Sequence, residues 1–178
     1  MRRFLALIAL AAALAIPACD QIPFTVQVPI VLTEVHLAPP DSLDPLGFQK
    51  RVVDVTEYSN FAQYIDFAQR IHVDSVFLRI TNHQSQPVNL EIRVSEDTTY
   101  TAETVDQAEA LVSLNLLPDT TQRLSGLEFL NEPTLRTLQD EYLPAGLFAL
   151  YFRASAESTP LNLTVDSLVL YVRLEGAK

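Results

Sequence analysis

The chain has 178 residues, of which 22 are acidic and 12 are Lys or Arg, so its formal net charge at pH 7 is −10. This balance argues against binding to nucleic acid and against a flat electrostatic contact with anionic lipid, because both surfaces attract polybasic proteins. The acidic residues are dispersed along the chain, a pattern typical of a solvated surface that stays soluble.

The first twenty residues have the pattern of an export signal. Arg2 and Arg3 precede an unbroken apolar run over residues 4–16, and the only cysteine of the chain, Cys19, follows that run closely. The run is too short to span a bilayer, which needs about twenty apolar residues. The pattern predicts that residues 1–18 are a signal peptide that is removed on export.

The end of this signal resembles that of bacterial lipoprotein precursors, in which an aliphatic residue, a small residue, and Ala or Gly precede a cysteine. The matching residues are Ile16, Pro17, Ala18 and Cys19. Pro17 departs from the pattern, since alanine or serine is more usual at that position. The resemblance implies a diacylglycerol thioether on Cys19, cleavage after Ala18, and acylation of the new amino terminus.

Lipidation would hold the mature protein on the extracytoplasmic side of a bacterial membrane, in the cell envelope. Burial of acyl chains contributes about 0.8 kcal/mol per CH₂, so two or three chains anchor a protein stably. Residues 19–23 would form a short lipidated tether of about 15 Å at about 3.3 Å per residue. We therefore expect the domain to lie close against the bilayer. The alternative is ordinary secretion with a free thiol at Cys19.

Residues 24–178 are long enough for one domain with a sizeable core, which at this length buries roughly 70% of the unfolded surface. The first strand of that domain is predicted over residues 24–36, where apolar residues alternate with polar ones. Pro23 and Pro29 cannot donate to a ladder and place this strand at a sheet edge. The alternation changes phase in the middle, which predicts a bulge near Ile30–Leu32.

After a loop and a short strand at Val52–Val55, the apolar period changes to that of a helix over Glu57–Gln69, with Thr56 or Ser59 as its cap. One face of this helix carries Tyr58, Phe61, Ala62, Ile65 and Ala68. Tyr64 and Phe67 widen the apolar face. They are either core neighbours or an exposed patch that faces a partner.

Two segments of the chain match in residue type position by position. They are Ile71–Ile80 and Leu163–Val172, and both contain Val-Asp-Ser. Their alternating apolar residues predict central strands. Asp74 and Asp166 then lie early in their strands, where short polar side chains bond to nearby backbone groups. A paired catalytic role for the two aspartates is the less favoured alternative.

The remaining elements complete an all-β pattern. A polar turn at residues 82–86 and alternation over 88–94 predict a hairpin, and residues 95–110 predict a loop with one helical turn. Further elements are predicted as strands at 112–116 and 121–125, a helix from Asn131 to Glu141 with an Asn cap and a proline in its first turn, and strands at 147–156 and 161–174. Seven to nine strands with two short helices predict an antiparallel β-sandwich, with a β-barrel as the alternative.

The sequence carries no motif for catalysis or for a cofactor. A Gly-rich phosphate loop, a Gly-x-Ser-x-Gly elbow and a His-Glu-x-x-His helix are all missing. His36, His72 and His83 match no local metal motif and are interpreted as surface or hydrogen-bonded residues. Acidic pairs could bind Ca²⁺ in loops but lack the spacing of a calcium motif; they are Asp41 with Asp44 and Glu96 with Asp97. We predict no enzyme activity, no cofactor and no metal.

Two functions of different classes are compatible with these features. In the first, the protein is a lipid-anchored binding or scaffolding module for another envelope component, for which we expect a protein. In the second, it captures an extracellular ligand such as a glycan. Glycan platforms rely on exposed aromatic residues, and this chain has no Trp, so the first function is favoured.

Overall fold

The computed structural model describes most of the folded domain, namely residues 22–37, 48–99, 101–157 and 161–178. The predicted signal peptide, the cleavage site at Ala18, the lipidation site Cys19 and the pair Asp41 and Asp44 lie outside the described residues. Within the described ranges, no helix has the length and apolar character that crossing a bilayer requires.

Eight strands are described: β1 (Pro23–Leu37), β2 (Gln49–Asp54), β3 (Ala68–Asn82), β4 (Val88–Ser95), β5 (Glu109–Leu116), β6 (Thr120–Gly126), β7 (Leu147–Ser155) and β8 (Leu163–Ala177). They form two antiparallel sheets, sheet A in the order β1-β8-β3-β6 and sheet B in the order β2-β7-β4-β5. This is the strand order of a jelly roll. Both described sheets are open, so the predicted β-sandwich is confirmed and the barrel alternative is wrong.

The inward faces of the two sheets share one apolar core. Its fully buried side chains come from both sheets and include Ile30, Leu78, Ile92, Phe148 and Leu170. Burial of each such side chain contributes about 1.5–3 kcal/mol. The alternation that predicted the strands therefore also identified the core.

The predicted bulge in β1 is wrong. The pairing of β1 with β8 keeps one register from Pro23↔Ala177 to Leu37↔Leu163. The alternation changes phase between Leu32 and Val35, which are both buried. The opposing stretch of β8 changes phase at the same level, so the two strands turn together without a register shift. The prediction that the prolines mark an edge strand is confirmed.

The two matching segments lie in β3 and β8, the two central strands of sheet A, as predicted. They also pair directly with each other, with Val76 opposite Leu170 and Leu78 opposite Leu168. The matching residue types therefore reflect neighbouring positions in one sheet, where each strand is hydrogen-bonded on both sides.

The predicted hairpin at residues 82–86 is wrong. β3 belongs to sheet A and β4 to sheet B, so this connection crosses between the sheets. The Asn82 side chain holds the crossing, because its amide donates to the carbonyl oxygens of Gln86 at 2.9 Å and Leu117 at 3.0 Å. A polar turn between two alternating stretches has the same sequence pattern in a hairpin and in a crossing.

Three α-helices of six residues each are described in the connections: α1 (Ser59–Tyr64), α2 (Ala102–Gln107) and α3 (Glu132–Thr137); a last helical turn of three residues lies at Leu143–Ala145. The predicted helix over Glu57–Gln69 is too long, because 3₁₀ turns flank α1 and β3 already begins at Ala68. Its predicted cap is also wrong. The Asp54 carboxylate accepts from the backbone N–H of Thr56 at 2.9 Å and caps the first 3₁₀ turn instead.

The α2 helix is the helical turn predicted within residues 95–110. The cap of α3 is confirmed, since the Asn131 side chain accepts from the backbone N–H of Thr134 at 3.3 Å. A π-helical turn at Leu138–Tyr142 follows α3, and the helical region ends at Gly146, whose φ of 84° favours glycine.

Candidate functional site

The outer face of sheet B is covered by the chain segment that contains α2. This covering segment, residues 96–99 and 101–108, contributes Val105 and Ala108 to a second apolar cluster. The sheet side contributes Phe48, Ala149 and Tyr151. The Tyr151 hydroxyl is within hydrogen-bond distance of two carbonyl oxygens of the covering segment, that of Asp97 at 3.0 Å and that of Thr99 at 2.7 Å.

Polar contacts hold the covering segment in place. Arg93 donates to the carbonyl oxygen of Val105 at 3.0 Å, and Lys50 donates to that of Thr98 at 2.9 Å. The Asp97 carboxylate accepts from the backbone N–H of Thr99 at 2.8 Å, and this bond holds the pKa of Asp97 below its ordinary value. The structure thus places Asp97, one of the predicted acidic pair, in a turn of the cover.

The outer face of sheet A has no such cover from the described residues. Apolar side chains meet across its strands, with Val31 opposite Val169 and Val169 opposite Phe77. We call this set the open-face patch: Pro29, Val31, Phe77, Val169 and Tyr171. Val31 is 45% exposed and Tyr171 is 39% exposed, so the patch is accessible to a partner.

Ion pairs border the open-face patch on both sides along the strands. Asp74 pairs with Arg173 at 3.0 Å, and Asp166 pairs with Arg79 at 3.5 Å. In the pairing of β3 with β8, Asp74 lies opposite residues 171–172, which are five to six residues from Asp166. This separation is about 18 Å at about 3.3 Å per residue. The two aspartates are therefore far apart, and the structure does not bring them together as a catalytic pair.

A second exposed cluster lies at the end of the sandwich where β1 begins. We call it the tether-end patch: Ile22, Phe24, Tyr64, Phe67 and Lys178. The rings of Phe24 and Tyr64 are tilted, with centroids 4.9 Å apart. The Lys178 ammonium lies 5.3 Å from the Tyr64 ring centroid and 5.0 Å from that of Phe67.

Tyr64 and Phe67, the two residues predicted to face either the core or a partner, have different surroundings. Tyr64 packs partly against the core, whereas Phe67 is 41% exposed. Gly176 makes this position possible, because a Cβ at residue 176 would collide with the carbonyl oxygen of Phe67. Sequence analysis missed the role of Gly176, although a glycine inside a strand signals a close backbone approach.

Two of the three histidines lie within hydrogen-bond distance of the same hydroxyl group. A ring nitrogen of His36 lies 3.1 Å from the Thr164 hydroxyl, and one of His83 lies 3.2 Å from it. His72 lies elsewhere, in the lining of an open cavity of about 420 Å³. In the described part of the chain, no three His, Cys, Asp or Glu side chains are grouped to hold a metal ion.

No protein-family model and no curated protein matches this chain. Among solved structures, Mud crab tombus-like virus is similar over 92% of this chain and 84% of that chain, with 11% identity and a TM-score of 0.49. The structure of giant freshwater prawn nodavirus is similar over 92% of this chain and 88% of that chain, with 10% identity and a TM-score of 0.47. The structure of Desmodium yellow mottle tymovirus is similar over 91% of this chain and 86% of that chain, with 12% identity and a TM-score of 0.43. At these identities the likeness concerns the fold alone.

Proposed function

We propose that this protein is a lipid-anchored module of a bacterial cell envelope that binds or scaffolds another envelope protein through the open-face patch. The observation that carries the proposal is the contrast between the two outer faces. Sheet B is covered by residues 96–99 and 101–108, whereas none of the described residues covers the apolar patch on sheet A. The proposal assigns no reaction, cofactor or metal.

The composition of the open-face patch supports a protein as the partner. Protein interfaces have an apolar and aromatic centre with a polar rim. Here Tyr171 and Val31 supply the centre, and the ion pairs of Arg79 and Arg173 supply the rim. Tyr and Arg are also the residue types enriched among the side chains that dominate binding energy.

The position of the protein in the envelope is supported by the resemblance of residues 16–19 to a lipoprotein signal. An acylated Cys19 would attach the domain to the extracytoplasmic side of a membrane through the short tether predicted at residues 19–23, of which Ile22 and Pro23 already belong to the fold. The open-face patch would then be held among membrane-attached partners, where confinement raises the effective concentration of weak binders.

Site-specific crosslinking tests the docking surface. A photoreactive amino acid replaces Tyr171 in the natively processed chain in intact cells, and the matched control replaces Leu147, which is 42% exposed and lies in sheet B. We expect one crosslinked protein band from position 171 and none from 147. The double variant Val31→Glu and Tyr171→Glu should abolish co-purification of that same protein while circular dichroism stays unchanged.

Two results would overturn this function. One is equal crosslinking from positions 171 and 147, which would mean that the open face has no preferred partner. The other is retention of the protein on a glycan array that is lost on Tyr171→Ser, which would establish the glycan-binding alternative. Tyr171 is the most exposed tyrosine among the described residues, so it is the residue to test for both functions.

A further inference from the structure

We propose that the tether-end patch rests on the interface of the lipid bilayer, so that the sandwich stands on this end with both outer faces at a steep angle to the membrane. This inference rests on the proposed lipid anchor at Cys19. It goes beyond the anchor because it assigns a membrane contact to Ile22, Phe67 and Lys178, which the acyl chains themselves do not require.

The length of chain between the anchor and the fold is the first argument. Ile22 is tied to Lys178 by two backbone hydrogen bonds of 3.0 Å, so the fold begins at that residue. Three residue steps separate Cys19 from Ile22. They span at most about 11 Å when fully extended. Since the lipidated residue lies at the membrane surface, the end of the sandwich that holds Ile22 must lie there too.

The chemistry of the patch is the second argument. Ile22 is 71% exposed, and the ring of Phe67 is exposed beside it on the same end of the sandwich. Aromatic residues are enriched at the membrane interface, and a lysine can bury its apolar stem while its ammonium stays among the headgroups. Lys178 belongs to the same cluster, because its ammonium lies over the rings of Tyr64 and Phe67.

Acidic and basic residues both surround the tether-end patch, and this mixture decides which class of lipid headgroup we expect it to contact. Asp66 and Arg70 are exposed near Phe67, and Glu175 pairs with Arg173 at 2.6 Å. Among the described residues, this end of the sandwich therefore lacks the cluster of basic residues that binding to anionic headgroups needs. We expect contact with a zwitterionic bilayer through apolar and aromatic side chains, with little dependence on salt.

The antiparallel register places Leu117 at the opposite end of the molecule, and this provides a control. Ala68 pairs with Gly176 beside the tether-end patch, whereas Asn82 pairs with Thr120 at the other end of sheet A. Leu117 lies next to Thr120 in the β5–β6 turn and is 60% exposed. Along β3 the two ends are separated by about 45 Å at about 3.3 Å per residue.

Tryptophan fluorescence with brominated lipids tests the contact. The chain contains no Trp, so each of the variants Phe67→Trp, Ile22→Trp and Leu117→Trp carries a single emitter. The natively processed and lipidated variants are reconstituted in phosphatidylcholine vesicles with and without brominated acyl chains. We expect the brominated lipid to lower the emission of the first two variants by about twofold and to leave that of Leu117→Trp unchanged.

Flotation of the vesicles and mass spectrometry of Cys19 separate the two levels of the proposal. Protein that floats, with emission at 67 and 22 no more quenched than at 117, would overturn the membrane contact and leave the anchor standing. Protein that does not float and carries a bare thiol would overturn both. An emission at 67 that is quenched equally at 0.1 and 1 M salt would support contact through apolar side chains.

Discussion

The two outer faces of this sandwich differ in what covers them. On sheet B, Tyr151 is fully buried beneath the covering segment, and its hydroxyl lies within hydrogen-bond distance of the carbonyl oxygens of Asp97 and Thr99. On sheet A, Tyr171 has a similar place on a central strand but remains exposed. The contrast shows that an outward-facing aromatic residue of a strand is buried where the chain folds back over it and stays exposed where no described residue covers it.

The largest expected effect concerns the cover itself. Tyr151→Ala should lower the free energy of unfolding by about 3–5 kcal/mol, because a large buried side chain is lost and a cavity remains. Tyr171→Ala, its matched control on the open face, should change it by no more than about 0.5 kcal/mol. Urea denaturation of both variants checks this. Equal losses in the two variants would break the comparison between the faces.

A smaller effect is expected from the hydroxyl group alone. Tyr151→Phe should cost about 1–2 kcal/mol, since the carbonyl oxygens of Asp97 and Thr99 lose the single hydroxyl donor that they share. Amide hydrogen exchange should rise in residues 96–99 and stay unchanged in β3. Tyr171→Phe is the control and should leave both stability and exchange as they are.

The ion pairs of the two faces should also differ in strength, with the stronger coupling on the covered face of sheet B. A double-mutant cycle on Asp74 and Arg173, which border the open face, should give a coupling of about 0.2–1 kcal/mol that falls in 1 M salt. The more buried pair of Glu91 and Arg93 on sheet B should give a larger coupling that salt reduces less. A larger coupling for the open-face pair would contradict the expected difference.

The smallest expected effect is a pH dependence of the cover. The N–H of Thr99 lowers the pKa of Asp97 in the folded state, so its ionised form stabilises the fold above the unfolded pKa of about 3.9. This contribution is lost as the pH falls through the lower, folded pKa. The stability difference between the natural chain and Asp97→Asn should therefore shrink from pH 5 towards pH 2. A constant difference across this range would contradict the assignment.

Local sequence patterns were enough to predict most of the strands. They also predicted two finer features, the edge position of β1 and the N-terminus of α3. The prolines of β1 and Asn131 act through their own backbone neighbours, so their effects are readable from sequence. The β3–β4 crossing was not readable, because Asn82 holds it through a contact with the carbonyl of Leu117, which is distant in sequence.

The candidate sites depended still more on distant contacts. Tyr64 and Phe67 look alike on a helical face, yet Gly176 lets the backbone of Phe67 lie against the end of β8, and Phe67 remains exposed. His36 and His83 meet only because both reach Thr164 on a third segment. No local period contains such information.

The sequence by itself predicted an all-β fold, as a sandwich or a barrel, with β3 and β8 as central strands, and its acidic surplus led us to expect no nucleic-acid partner. It also supplied the prediction of a lipid anchor at Cys19. Only the tertiary structure decided which sheet each strand joins, which outer face the chain covers and which side chains remain exposed. The physical reason is that alternation along a strand records which positions are apolar, whereas the partner that buries each one is chosen by packing between remote segments.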